Sequence, residues 1–439
     1  MRSKSKEVSV SVADVNGSDG KSILKKIKDA REKRSDAVTR EVSAILDDVR
    51  KRGDAALFDY TEKFDKVKVT ASSVRVSIEH LKARAKMVAP ELKAAIRAAA
   101  GRIRGFHCRQ GIHGYRVKTL DGELAQIVKP LKRVGVYVPG GHTIYPSSVL
   151  MNIIPAQLAG VKGIVAVTPP GKGDIDPGVA YALDYMRVRE VYTAGGAQAI
   201  GALAYGTKSI PAVDMIVGPG NAYVAAAKRL VYGTVGIDSA AGPSEVVIIA
   251  DKSAPPRFVA LDMLAQVEHG SGDEIAMCIV ESRAVAEKIA AALAKEIEKS
   301  PVKNVLAKLP AHAITIMITP SRKESMELSN AIAPEHLQIM TETADKDVRL
   351  AYNASAIFLG VNTPVALGDY FIGTNHVLPT GGAARFASPL GVECFQKRIS
   401  VAKASPGGLA SAANYVPAFA RAEAFEHHAM SVEARVEQQ

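Results

Sequence analysis

Two series of short apolar runs constrain this chain more than any other feature. Each run ends in glycine or proline, and an alanine-rich stretch follows it. The first series is VGVYVPGG (134–141), GIVAVTPP (163–170), EVYTAGG (190–196) and MIVGPG (215–220). The second is VVIIAD (246–251), AMCIVES (276–282), ITIMITP (314–320) and AIFLG (356–360). Continuous apolar strands that alternate with helices are buried on both faces, so they belong to parallel sheets covered by helices. Two such series predict an α/β chain with two Rossmann-like domains and a cleft between them. No internal sequence repeat relates the two.

Composition agrees with an enzyme of this class. The chain has 439 residues, of which 47% are hydrophobic, enough for more than one core. Glycine is plentiful (35), aromatics are few (5%) and tryptophan is absent, a balance that suits tight βα turns better than a β-sandwich. The net charge of +11 sits entirely at the N-terminal end, where residues 1–120 carry 28 Lys and Arg against 15 Asp and Glu. No basic run is interleaved with aromatics of the kind that stacks on bases, so the excess reads as the solvated face of amphipathic helices and no nucleic-acid partner is expected. Three scattered cysteines, Cys108, Cys278 and Cys394, argue against a disulfide framework and a cysteine zinc site. No stretch approaches ~18 apolar residues, so no membrane span is expected and the cytoplasm is the expected compartment.

Helical periodicity marks 22–53 and 79–106, and a polar helix is expected from Val416 to about Val436. Residues 373–400 read as a long ordered loop, the kind of segment that carries function in enzymes. The usual G-x-G-x-x-G fingerprint is missing. In its place stand three glycine turns, VPGGHTIYPSS, TAGGAQAIGA and VGPGNAYVAAA, each after a strand and before a helix. Such turns let backbone N–H groups approach a pyrophosphate. Tyr137, Gln198 and Asn221 sit beside them and are candidate cofactor contacts. Gln266 and His269, three residues apart on a predicted helix, would share one face and reach one ion. Glu335 and His336 combine a carboxylate with an imidazole, two groups that relay protons near neutral pH. Asp369 lies in a glycine-containing segment, and Glu423 and His428 lie in the tail.

These pieces together resemble histidinol dehydrogenases over about residues 20–435. The carrying segments are RVGVYVPGG, YPSSVLMNIIPA, VDMIVGPGNAYVAAAKR, AGPSEVVIIAD, AQVEHG, APEHLQI, GDYFIGTNHVLPTGGAARFASPLGV and EAFEHHA. The resemblance implies one zinc per subunit on Gln266, His269, Asp369 and His428, and a catalytic pair in Glu335 and His336. It implies substrate contacts from Ser244 and Glu423 besides His336 and the metal ligands, and NAD contacts from Tyr137, Gln198 and Asn221. The activity implied is oxidation of L-histidinol to L-histidine with two NAD; a paralogue acting on another small polar alcohol, such as a sulfonated diol, is the alternative. His336 would take the hydroxyl proton and Glu335 would activate water for the aldehyde step. No cysteine occupies a site position, so water is favoured over a thiohemiacetal. The implied architecture is two incomplete Rossmann-like domains plus small helical N- and C-terminal dimerisation segments of a homodimer. Its expected divisions are 1–30 for N-terminal dimerisation, 31–136 with 245–385 for the catalytic domain, 137–244 for NAD, and 386–439 for a tail that completes the partner's active site. Two departures are visible: Ala424 where the family usually has glycine, and Gly270 where it usually has an acid.

Overall fold

The apolar runs pair in parallel, as their unbroken hydrophobicity requires. The structure is a computed structural model that describes residues 8–32, 36–140, 144–171, 173–239, 242–270 and 272–438. Gly141 of the first glycine turn, Ala241 of AGPSEVVIIAD and the first seven residues of the expected N-terminal segment lie outside the described residues. The strands in chain order are β1 (Ser11–Asp14), β2 (Tyr115–Thr119), β3 (Gly122–Pro130), β4 (Arg133–Tyr137), β5 (Gly163–Thr168), β6 (Glu190–Thr193) and β7 (Met215–Val217). There follow β8 (Gly236–Ile237), β9 (Glu245–Ala250), β10 (Ile275–Val280), β11 (Ile314–Ile318), β12 (His336–Met340), β13 (Ala356–Leu359) and β14 (Gln396–Ala404).

One sheet runs β1-β11-β10-β9-β12-β13 and is parallel throughout. A second, also parallel, runs β6-β5-β4-β7-β8. In the first sheet every residue of β9, β10, β11 and β12 is buried. The α/β class and the two parallel sheets therefore stand as expected. A third sheet, β14-β3-β2, is antiparallel and has no counterpart among the expected strands. Its outward residues Tyr115, Val117, Leu124, Ile399 and Val401 are exposed apolar side chains, so its alternation is too weak to announce strands.

The chain divides differently from the expected scheme. Residues 8–30 are not set apart from the first sheet: β1 pairs with β11, and Ile23 and Ile27 share a core with Val247, Leu337 and Ile339. Residues 36–107 do not join the first sheet either. The Asp36–Arg52 helix packs on the Gly196–Tyr205 and Ala222–Val231 helices, and Val42, Leu46 and Val49 share a core with Val165, Ile200 and Leu203. On the opposite face, Ile96 and Ile103 of the Pro90–His107 helix join Val134 and Ile153. The second sheet thus begins at Arg133 and is clad by helices that precede it. Periodicity shows that such a helix has an apolar face but not which sheet that face will meet.

The expected single tail helix is two, Val416–Ala422 and Glu426–Val436. The break lies at Ala424, whose φ is +63°. A side chain there forces the left-handed conformation on a residue that resists it, which explains why glycine would suit the position. Ala424→Gly is expected to stabilise the tail by about 1 kcal/mol. A urea midpoint that stays put or falls in that variant would show that the break carries no strain.

Candidate active site

The candidate catalytic pair stands at the amino edge of the first sheet. The Arg322–Ile332 helix ends on Ala333, in the left-handed region at φ +50°, and Pro334 prevents its continuation. The chain then enters β12 with Glu335 and His336, both buried beside the start of β9. The backbone of Glu245 meets both of them. Its N–H donates to Glu335 Oε2 at 3.0 Å, and its carbonyl oxygen lies 3.2 Å from His336 Nδ1. A carbonyl only accepts, so the ring proton belongs on Nδ1 and the lone pair on Nε2. That Nε2 is buried without a hydrogen-bond partner and lies 4.0 Å from Asp369 Oδ1. Asp369 is carried by the short Val365–Tyr370 helix.

Burial dominates the electrostatics here. It pushes the His336 imidazole down to about 3, so the ring is neutral and able to accept a proton. It pushes the Glu335 carboxyl well above its ordinary range, and the neighbouring Glu245 and Asp369 carboxyls add to the rise. Burial also lifts Asp369 to about 6, against a downward pull from His269. A buried carboxyl of this kind favours a nearby cation.

Gln266 and His269 do not share the expected helix face. The Pro256–Val267 helix stops before His269, and Glu268 caps it. His269 lies in the turn beyond, and its Nδ1 folds back to 3.0 Å from the Gln266 carbonyl oxygen. That bond leaves His269 Nε2 free to accept, the arrangement a metal-binding imidazole uses. Gln266 is buried in the last turn of the helix. Ser244 is half-buried immediately before β9, and its carbonyl accepts from the Ile275 N–H at 3.1 Å.

His376 has no place among the expected site residues, although it lies within the loop motif GTNHVLPTGG. Its Nδ1 is 3.1 Å from the Asp369 carbonyl oxygen and its Nε2 is 3.3 Å from Ser148 Oγ, so it ties the Asp369 segment to the Pro146–Ala159 helix of the second sheet. Burial pushes its ring down to about 4. Asn375 reinforces the tie by donating to the Met151 carbonyl at 2.8 Å.

The glycine turns stand at the carboxyl edge of the second sheet, and β4 and β7 flank the point where strand order reverses, the usual place for a nucleotide in an open α/β sheet. Tyr137 is buried, and its hydroxyl accepts from the Gly196 N–H at 3.2 Å. Gln198 is buried with both side-chain polar atoms unpartnered, as expected of a group that awaits a ligand. Asn221 has a structural role, since its Oδ1 caps the Ala222–Val231 helix by accepting from the Tyr223 and Val224 N–H groups at 3.0 and 3.1 Å. Lys228 and Asp238 form a buried ion pair that also holds Gly218: Lys228 donates to its carbonyl at 2.9 Å and Asp238 accepts from its N–H at 2.8 Å. Gly218 has φ +112°, and a Cβ there would meet the Tyr137 carbonyl oxygen at 2.2 Å.

The tail residues stay apart from this cluster within one chain. Glu423 and His428 are exposed, and the His428 ring packs on Phe425 at 5.1 Å. The two tail helices pack mainly on each other and on the Pro406–Ala412 helix. Among the described residues no group of three or more His, Cys, Asp or Glu side chains is placed to hold a metal. Gln266, His269 and Asp369 offer N and O donors of the kinds that suit zinc. Cys278 is fully buried within β10, where burial pushes its thiol up. Cys108 is exposed just beyond the Pro90–His107 helix, and Cys394 is partly buried.

The profile of the histidinol dehydrogenase family matches residues 28–436. A histidinol dehydrogenase of Cupriavidus pinatubonensis is 45% identical over 409 residues, covering 91% of each chain. One of Listeria innocua is 44% identical over 406 residues, covering 92% of this chain and 94% of its own. A crystal structure of histidinol dehydrogenase from Elizabethkingia anophelis superimposes with a TM-score of 0.88 at 34% identity, covering 98% of both chains.

Proposed function

The chain belongs to the histidinol dehydrogenase family, oxidoreductases of histidine biosynthesis, and on that premise we propose that it converts L-histidinol to L-histidine through the aldehyde, with two NAD used in turn. The observation that carries the reading is the buried, unpartnered Nε2 of a neutral His336, beside Asp369 and next to a buried Glu335. In the first step that nitrogen takes the hydroxyl proton as the alcohol carbon gives up its hydride. The aldehyde then needs an added oxygen before its carbon can give up a second hydride. Glu335 in its carboxylate form takes the proton from the attacking water. Tyr137, Gln198 and Asn221 would hold NAD, which would supply the hydride acceptor. Gln266, His269 and Asp369, with His428 from a second copy, would hold zinc, whose chemistry would be to orient the substrate's imidazole and amine. Ser244 and the second copy's Glu423 complete the substrate contacts.

Exposed Tyr415, Phe419, Phe425 and Met430 on the tail support a homodimer, because side chains of this size in one small region are normally covered. No helix among the described residues is long and apolar enough to cross a membrane, and the cytoplasm is the compartment we propose. The relatives compared with this chain are named for one activity, so no observation favours a sulfonated diol as substrate.

Histidinol oxidation with counting of NADH tests the reaction: two per substrate consumed is expected, and a product ratio of one would overturn it. Protein purified without chelator should carry one zinc per chain. His269→Asn should lose the metal and the activity together; unchanged zinc and turnover would remove His269 from the ligand set.

A further inference from the structure

The two residues read as the catalytic pair are held by one backbone unit, that of Glu245, and the Glu245 side chain is itself held. The residue is 3% exposed, and its carboxylate receives a two-pronged clamp from Arg31: Nε to Oε1 at 2.8 Å and Nη2 to Oε2 at 2.8 Å. The third Arg31 nitrogen, Nη1, donates to the Ile332 carbonyl at 2.8 Å. Ile332 is the last residue of the helix that delivers Ala333, Pro334 and then Glu335 and His336. One guanidinium therefore grips both segments that fix the site. These are the β9 end, whose N–H and C=O orient Glu335 and His336, and the helix end from which those residues emerge. A planar fork fixes its partner's orientation as well as its distance, which a single charge does not. Arg31 comes from the far side of the sequence, in the last turn of the Ser18–Glu32 helix, and reaches the pair through Glu245 and Ile332.

We propose that Arg31 and Glu245 are positioning residues for the reaction: they hold the Glu245 peptide so that Glu335 and His336 present their proton-accepting atoms correctly. The proposal rests on the reading of Glu335 and His336 as the proton acceptors. A displacement of either acceptor lowers turnover while leaving the cofactor site and the metal donors intact, because Tyr137, Gln198, Gln266 and His269 are carried by other elements than those the clamp grips. Positioning losses of this kind are steep, since small misplacements of a reacting group cost up to about 100-fold.

The test uses the full-length enzyme with each half-reaction measured separately. Arg31→Met should lower kcat for both histidinol and the aldehyde by about 10–100-fold, with KM for NAD changed less than about twofold and zinc content unaltered. Arg31→Lys keeps the charge without the fork and should recover part of the loss. In a Glu335→Gln background, Arg31→Met should cost the aldehyde step little more, because both changes act through one group. If Arg31→Met fails to fold, Arg31→Lys and the charge-neutral Arg31→Met/Glu245→Met pair decide, and both should fold with lowered kcat. Wild-type kcat in any folded clamp variant, or full additivity with Glu335→Gln, would overturn the proposal. If instead Glu335→Gln and His336→Asn alone leave turnover intact, the reading of the catalytic pair falls first.

Discussion

His336→Asn is expected to lose histidinol oxidation by about 10²–10⁴-fold while aldehyde oxidation declines less, and Glu335→Gln is expected to show the reverse preference. The division follows from what each step asks of a proton acceptor. Alcohol oxidation needs a neutral base at the hydroxyl, and the His336 ring, pushed down to about 3 by burial, is neutral near neutral pH. Aldehyde oxidation needs water made nucleophilic, and in the proposed division the ionised Glu335 takes its proton. Glu335 is raised well above the ordinary carboxyl range, so its active form is present above that raised value and is lost as pH falls through it. The acid limb of the aldehyde step should therefore lie at higher pH than that of the alcohol step. Rapid-quench measurement of both half-reactions across pH checks this. Equal losses in both steps for both variants, with coincident acid limbs, would overturn the division of labour.

Mixed dimers should recover activity from two inactive parents. Among the described residues of one chain no group of three or more His, Cys, Asp or Glu side chains is placed to hold a metal, while His428 and Glu423 stand exposed on a tail that packs mainly on itself. The tail is joined to the body by β14, whose nine residues pair along the whole of β3 and so project it from the three-stranded sheet. A tail presented in this way can serve a two-fold partner. Co-expression of His336→Asn with His428→Asn then yields heterodimers in which one site receives both defects and the other receives none. Such heterodimers should show about half the wild-type turnover, as two-fold symmetry requires. If tails act in their own subunit, every site carries one defect and demonstrated heterodimers remain inactive.

The local chemistry of this chain is legible in its order of residues. Pro334 and the apolar HLQIM announce a helix stop and a strand with a carboxylate and an imidazole at its mouth, and the structure has them there. The unbroken apolar runs announce parallel sheets, and the glycine turns announce strand ends. Other features have no sequence signal. His376 looks like any histidine in a loop until its ring is seen against the Asp369 carbonyl and Ser148. His269 falls outside the helix expected to present it, because helix ends depend on capping contacts as well as on periodicity. Ala424 breaks the tail helix although no proline or glycine marks the place.

What the sequence determined by itself is which segments become buried strands, because an unbroken apolar run is a local property. What only the tertiary structure decided is which sheet each helix covers and which distant groups meet. Residues 36–107 crossed to the second sheet and β1 stayed with the first. Arg31 reached Glu245 across 214 positions of chain. Such partnerships follow from apolar faces competing for the same surfaces and from buried charges that must find an opposite. Both are settled by the packing of the whole chain, and no window of sequence contains them.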